Sequence, residues 1–163
     1  MQPDEVLNLL KALKSRKLNT AVETCGFFRS GILPRLVPFV DLFLWDFKDS
    51  DDERHKKFVG VSNTPIIENL LHADRLGANT VLRCIMISGV NMQKKHYKEI
   101  AALWHRLKHC RYVELLPYHA YGGAKAVALG RKDNGNIKMV PSKEELSIAA
   151  DYLKACGVKI KSE

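Results

Sequence analysis

Five ionisable side chains recur in one kind of place along this chain. Glu23 closes the run TAVETC beside Thr24, Asp46 and Lys48 close VDLFLWDFK, Arg83 interrupts TVLRCIMI, and His119 ends YVELLPYH. Each run is short, apolar and rich in β-branched or aromatic residues, the composition of a buried strand. A charge inside such a strand is unfavourable unless it is paired or meets a ligand. Asp46 and Lys48 are two apart, so on a strand they project from the same side. Carboxylates accept hydrogen bonds from hydroxyl and ammonium groups, while Lys and Arg hold anions. Together with an imidazole, the set suits a zwitterionic, ribose-containing or phosphate ligand. The alternative is mutual ion pairing, Glu23 or Asp46 with Lys48 or Arg83, beside a solvated His119.

Other reactive residues carry less. His105 and His109 stand at i and i+4, a metal-binding spacing, but HRLKH lacks the glutamate of a zinc-protease helix and reads as a solvated face. Cys25 has no histidine near it in sequence and reads as a small packing residue, as Trp45 and Trp104 read as large ones. His55, His72 and His96 sit in polar helical stretches and receive no role. No glycine-rich phosphate loop is present, and Gly122-Gly123 reads as a flexible loop.

The elements that must position these groups follow from periodicity. Residues 4–16 place Val6, Leu9, Leu10 and Leu13 on one helical stripe, with Pro3 in the first turn. Strands are expected over 20–25, 40–48, 80–87 and 112–119, with a last one over 158–161. Between them come a short piece broken by Pro34 and Pro38, a polar helix over 49–58, and a helix opened by Thr64-Pro65 and closed by Gly77. A further helix is expected over 93–109. Ser142 and Glu145 form a capping box ahead of a helix whose inward stripe is Leu146, Ala149, Ala150 and Leu153. Strands alternating with helices imply an α/β fold with a parallel sheet, helices outside, and ligands at the carboxyl ends of the strands. The first helix has no strand before it, as if a first β half were missing.

Composition sets the outer limits. The 163 residues are 46% hydrophobic and 27% charged, so a single globular domain over 1–163 is expected and disorder is excluded. No apolar run is long enough for a membrane-spanning helix, and the N-terminus does not read as a secretory signal. The net charge of +8 is scattered along amphipathic segments without a nucleic-acid-binding pattern, so it reads as a solvated surface. Four cysteines, at 25, 84, 110 and 156, form no CxxC pair and fit a reducing cytoplasm.

Taken in order, VETCG, DLFLWDFK, HKKFVGVSN, an Arg-bearing strand ending in SGVN, and ELLPYH followed by a glycine-containing loop resemble the glycyl-radical-enzyme activating enzymes. These are the pyruvate formate-lyase activating enzyme type of the radical SAM superfamily, and the likeness runs from about residue 2 to residue 161. It implies a partial (β/α) barrel that binds S-adenosylmethionine (SAM) beside a 4Fe-4S cluster. SAM cleavage there yields a 5′-deoxyadenosyl radical that takes hydrogen from a glycine of a large partner, a glycyl radical enzyme such as formate acetyltransferase. By the family's motifs, Glu23 and Thr24, with Asp46, would hold a monovalent cation near the SAM carboxylate. Asp46 and Lys48 would reach the ribose and its surroundings, Arg83 and His119 would contact SAM, and Leu116 would wall the adenine. The cluster motif CxxxCxxC and the Gly-Gly-Glu segment that grips the SAM amino group are missing. The expectation is therefore the C-terminal part of an activating enzyme, truncated at the N-terminus and inactive alone, with its first strand an exposed edge prone to self-association. The other reading is a cluster-less binding module of the same fold.

Overall fold

Alternating strand and helix signals resolve into one parallel sheet. A computed structural model describes residues 2–132 and 136–161. Its strands, β1 (Ala21–Thr24), β2 (Leu42–Phe47), β3 (Thr80–Met86) and β4 (Cys110–Pro117), lie side by side in chain order, all parallel. The helices are α1 (Pro3–Ser15), α2 (Leu33–Leu36), α3 (Asp52–Val59), α4 (Thr64–Arg75), α5 (Lys94–Arg106), α6 (Gly122–Ala128) and α7 (Lys143–Ala155). Each step from one strand to the next passes through helix, as parallel pairing demands.

Register divides the sheet into two unlike faces. Asp46 stands opposite Arg83, and Arg83 opposite Glu114. Alternation then puts Leu44, Asp46, Arg83, Ile85, Glu114 and Leu116 on one face and Phe43, Trp45, Phe47, Leu82, Cys84, Met86 and Val113 on the other. The second set is buried in one core with Ile66, Leu70 and Ala73 of α4, Tyr97, Ile100 and Leu103 of α5, and Ala149 and Leu153 of α7. Fully burying such a side chain contributes roughly 1.5–3 kcal/mol, so the helices are held to that side. The first set is only half-buried. The result is an unclosed barrel wall, helices outside and a polar-striped face inside.

The termini of the elements have local causes. The Asp51 carboxylate accepts from the Arg54 amide at 3.0 Å and starts α3 at Asp52, later than the expected 49. Helix α5 stops at Arg106, short of 109, because Leu107 is extended and the amides of Lys108 and His109 turn to the buried Asp74 carboxylate at 2.7–3.0 Å. The capping box of Ser142 and Glu145 forms as expected. Three expectations are corrected. The stretch after β4, read as a loop, contains α6: once the two glycines are passed, AKAVA is good helix-forming sequence. The last strand shrinks to one parallel bridge, Ile160 to Val113. Helix α1 buries Leu7 and Leu10, whereas Val6 and Leu9 are exposed: the apolar arc is wide, and its other edge meets the core.

Candidate functional site

Arg83 organises the open face. Its Nε donates to Asp46 Oδ1 at 2.9 Å, and its two terminal nitrogens donate to the Glu23 carboxylate at 2.6 and 2.9 Å. Glu23 lies in register with Leu44, so the guanidinium reaches across β2 to β1, about two strand spacings or ~10 Å. The other oxygen of Asp46 lies 3.3 Å from the Lys48 ammonium. Two carboxylates and two cations, drawn from three strands, thus form one formally neutral network. This realises the mutual pairing weighed from sequence, and it brings together four of the groups singled out there.

The network is unevenly buried. The side chains of Asp46 and Arg83 are each 14% exposed, whereas Glu23 is 61% exposed. Hydrogen bonds from Arg83 hold the Glu23 carboxyl below its usual range, and those same bonds raise the guanidinium against the opposing effect of burial. Solvent screening makes the Glu23 pair a weak stabiliser, yet the fork geometry presents both groups at the mouth of the open face. An incoming carboxylate can compete for Arg83 or Lys48, and hydroxyl or ammonium groups can meet Asp46 and Glu23. The arrangement suits a small zwitterion with polar substituents.

The remaining expected residues are placed less uniformly. Leu116 is opposite Ile85, on the same face as Arg83, and supplies an apolar surface beside the charges. Thr24 is on the other face, in register with Trp45, and its hydroxyl accepts from the Gly26 amide at 3.0 Å. His119 lies two residues beyond β4, exposed, its ring 4.9 Å from that of Tyr121. An open groove of about 470 Å³ between the turn after β1 and α4, lined by Phe28, Asn69, His72 and Arg75 among others, includes none of these residues.

Buried polar residues at the carboxyl ends of the strands were not assigned from sequence. Asn63, Asn69 and Asn91 are buried and donate to backbone carbonyls past β1 and β2 and to that of Ile85 near the end of β3. Beside them Asp49 accepts a two-pronged pair from Arg54, and the buried His96 Nδ1 takes the Ser50 amide at 3.3 Å with the Ser50 hydroxyl 2.7 Å away. The available signal was an asparagine inside an apolar helical stripe, as Asn69 is in α4, or in the short link ahead of a helix, as Asn63 and Asn91 are.

The thiols do not form a cluster site. Cys25 follows the carboxyl end of β1, Cys110 opens β4 at the opposite end of the sheet, and Cys156 follows α7. Cys84 is fully buried in β3, and burial pushes its thiol far above the usual range. Among the described residues no three His, Cys, Asp or Glu side chains gather as a metal requires. This donor set does not fit a 4Fe-4S cluster. The open-face set does fit SAM, which carries a carboxylate, an ammonium group and ribose hydroxyls.

No protein-family model matches the chain. It is 35% identical over 133 residues to the choline trimethylamine-lyase activating enzyme of Oleidesulfovibrio alaskensis, covering 80% of this chain and 43% of that protein. It is 34% identical over 145 residues to the trans-4-hydroxy-L-proline dehydratase activating enzyme of Clostridioides difficile, covering 88% and 48%. The chain thus spans about half the length of these relatives. Among solved structures, a domain of a pyruvate-formate lyase-activating enzyme from Bacteroides vulgatus superposes with a TM-score of 0.82 at 25% identity, over 98% of this chain and 90% of that one. A radical SAM methyltransferase from Sphaerobacter thermophilus shares the fold at a TM-score of 0.68 and 19% identity, over 91% of this chain and 42% of the other.

Proposed function

Because the chain is a relative of the glycyl-radical-enzyme activating enzymes, with the open α/β half-barrel of radical SAM proteins, we propose that it carries the SAM-side wall of such an enzyme's active site. The observation that carries this reading is the gathering of Glu23, Asp46, Lys48 and Arg83, from three strands, on the sheet face opposite the helix-packed core. In this reading Lys48 and Arg83 hold the ligand's carboxylate side, Asp46 takes ribose hydroxyls, and Leu116 lies along the adenine. Glu23, Thr24 and Asp46 hold a monovalent cation, Thr24 through its backbone carbonyl because its side chain is on the other face. His119 reaches the ligand from the loop beyond β4. SAM bound beside a 4Fe-4S cluster would supply radical chemistry there, directed at a glycine of a cytoplasmic glycyl radical enzyme.

Without a cluster site this chain binds SAM but does not cleave it. Titration calorimetry with SAM is the test. Weak, saturable binding that falls at least about tenfold in Asp46→Ala, as expected for losing one charged hydrogen-bonding partner, supports the proposal. An affinity unchanged by both Asp46→Ala and His119→Ala removes these residues from the site. The scatter of the thiols favours a second reading, a binding module of the same fold without chemistry. SAM turnover by this chain after cluster reconstitution would exclude it.

A further inference from the structure

The ladder between β2 and β3 ends at Phe47 opposite Cys84, one pair beyond Asp46 and Arg83. Carried one residue further, the register would set Lys48 opposite Ile85, yet no rung forms there. In its place stands the side chain of Asn91, fully buried. Its Nδ2 donates to the Lys48 carbonyl at 3.2 Å and to the Ile85 carbonyl at 2.8 Å, and its Oδ1 accepts from the Ile87 amide at 2.8 Å. One carboxamide therefore joins the carboxyl ends of the two strands that bear Asp46, Lys48 and Arg83.

We infer that Asn91 is a positioning residue of the open-face site: its carboxamide replaces the missing rung and so fixes the backbone from which Lys48 projects against the strand that carries Arg83. The residue type is required by the bonding pattern. Two carbonyls need two donors and one amide needs an acceptor, which Asn supplies at this reach and Asp, Ser or Leu does not. The same device recurs along the rim. Asn63 donates to the Asp49 carbonyl at 3.1 Å, and Asn69 to those of Gly26 and Phe28 at 2.8 Å each. Carbonyls beyond β1 and β2, and that of Ile85 near the end of β3, are thus bound by buried side-chain amides. A groove rim of free, solvated carbonyls would let the strand ends separate, and with them the charges that must meet one ligand.

The inference rests on the SAM-binding reading for its consequence, and the experiment separates the two. Asn91→Asp keeps the shape and the acceptor but turns a carboxylate toward two carbonyl oxygens. Its SAM affinity by calorimetry and its Arg83 Nε–H resonance by ¹⁵N NMR are compared with wild type. A third protein, Leu153→Ala, loses core packing on α7 away from the site and is the control for lowered stability alone. The expected result is an affinity lower by about tenfold or more and an Arg83 resonance shifted toward that of a free guanidinium in Asn91→Asp. Both recover only in part as the pH is lowered, because the protonated carboxyl has one O–H for two carbonyls. Leu153→Ala changes neither. Asn91→Ser, with one donor too short to span both carbonyls, moves both readouts in the same direction and decides the matter if Asn91→Asp does not fold. Unchanged affinity and resonance in the Asn91 variants, or equal changes in Leu153→Ala, would overturn the inference. If wild type shows no SAM binding, the ligand reading fails by itself, and the resonance still decides whether Asn91 positions Arg83.

Discussion

At the scale of single residues, the charges of the site were legible because each breaks an apolar strand run, and the penalty for an unpaired charge there is local. Their convergence was legible too, since Asp46 and Arg83 need only the common parallel register to meet. What sequence could not give was the partner of each charge, which depends on how far Arg83 leans across β2 toward Glu23. Nor could it give the place of His119, which a loop decides. His96 was missed because a histidine in a polar helix looks solvated, whereas it is buried and stacked on Phe47 with ring centroids 6.0 Å apart. Burial lowers its pKa to about 4, with Asp49 opposing and Arg54 adding to the shift. The unfolded chain takes up this proton near the ordinary value of 6.5, the folded chain only near 4. Its stabilising effect is complete above pH 6.5 and is lost as pH falls through that window. Between those limits the thermal midpoint of the wild type should fall by roughly 3 °C or more beyond that of His96→Gln. Parallel curves would show that His96 is not a buried neutral imidazole.

At the scale of elements, strands and capped helices were read within a few residues because their signals are periodic or local. The misreadings share one cause: a short element takes its state from its neighbours. Helix α6 starts at the two glycines that read as a loop, and the 158–161 segment keeps only the Ile160 bridge. The turn after β1 shows how tightly an element end is fixed. Gly26 has φ of +77°, and a Cβ there would lie 2.1 Å from Cζ2 of Trp45, which is fully buried. Both the left-handed backbone and the indole exclude a side chain. Gly26→Ala is expected to destabilise the fold by about 2–4 kcal/mol in denaturant unfolding. A change within about 0.5 kcal/mol would show that the turn and Trp45 yield easily.

At the scale of the whole molecule, one sheet has a helix-covered face and an open face, and among the described residues β1 pairs only with β2. Such an edge offers unpaired backbone groups to another strand, so the chain is expected to self-associate in a concentration-dependent way. Sedimentation velocity should show this, and Ala21→Lys on the exposed edge should reduce it. A clean monomer at high concentration would count against the edge. Alternation alone made the two faces legible, but that the open face holds a bound zwitterion is the claim on which the functional reading turns. A crystal structure of the chain grown with SAM tests it most directly. The expected result is the ligand lying across β2 and β3 on the open face, its carboxylate at Lys48 or Arg83 and its ribose at Asp46. SAM bound in the groove beside α4, or on the helix-covered side with the Glu23–Arg83–Asp46 network untouched, would contradict it.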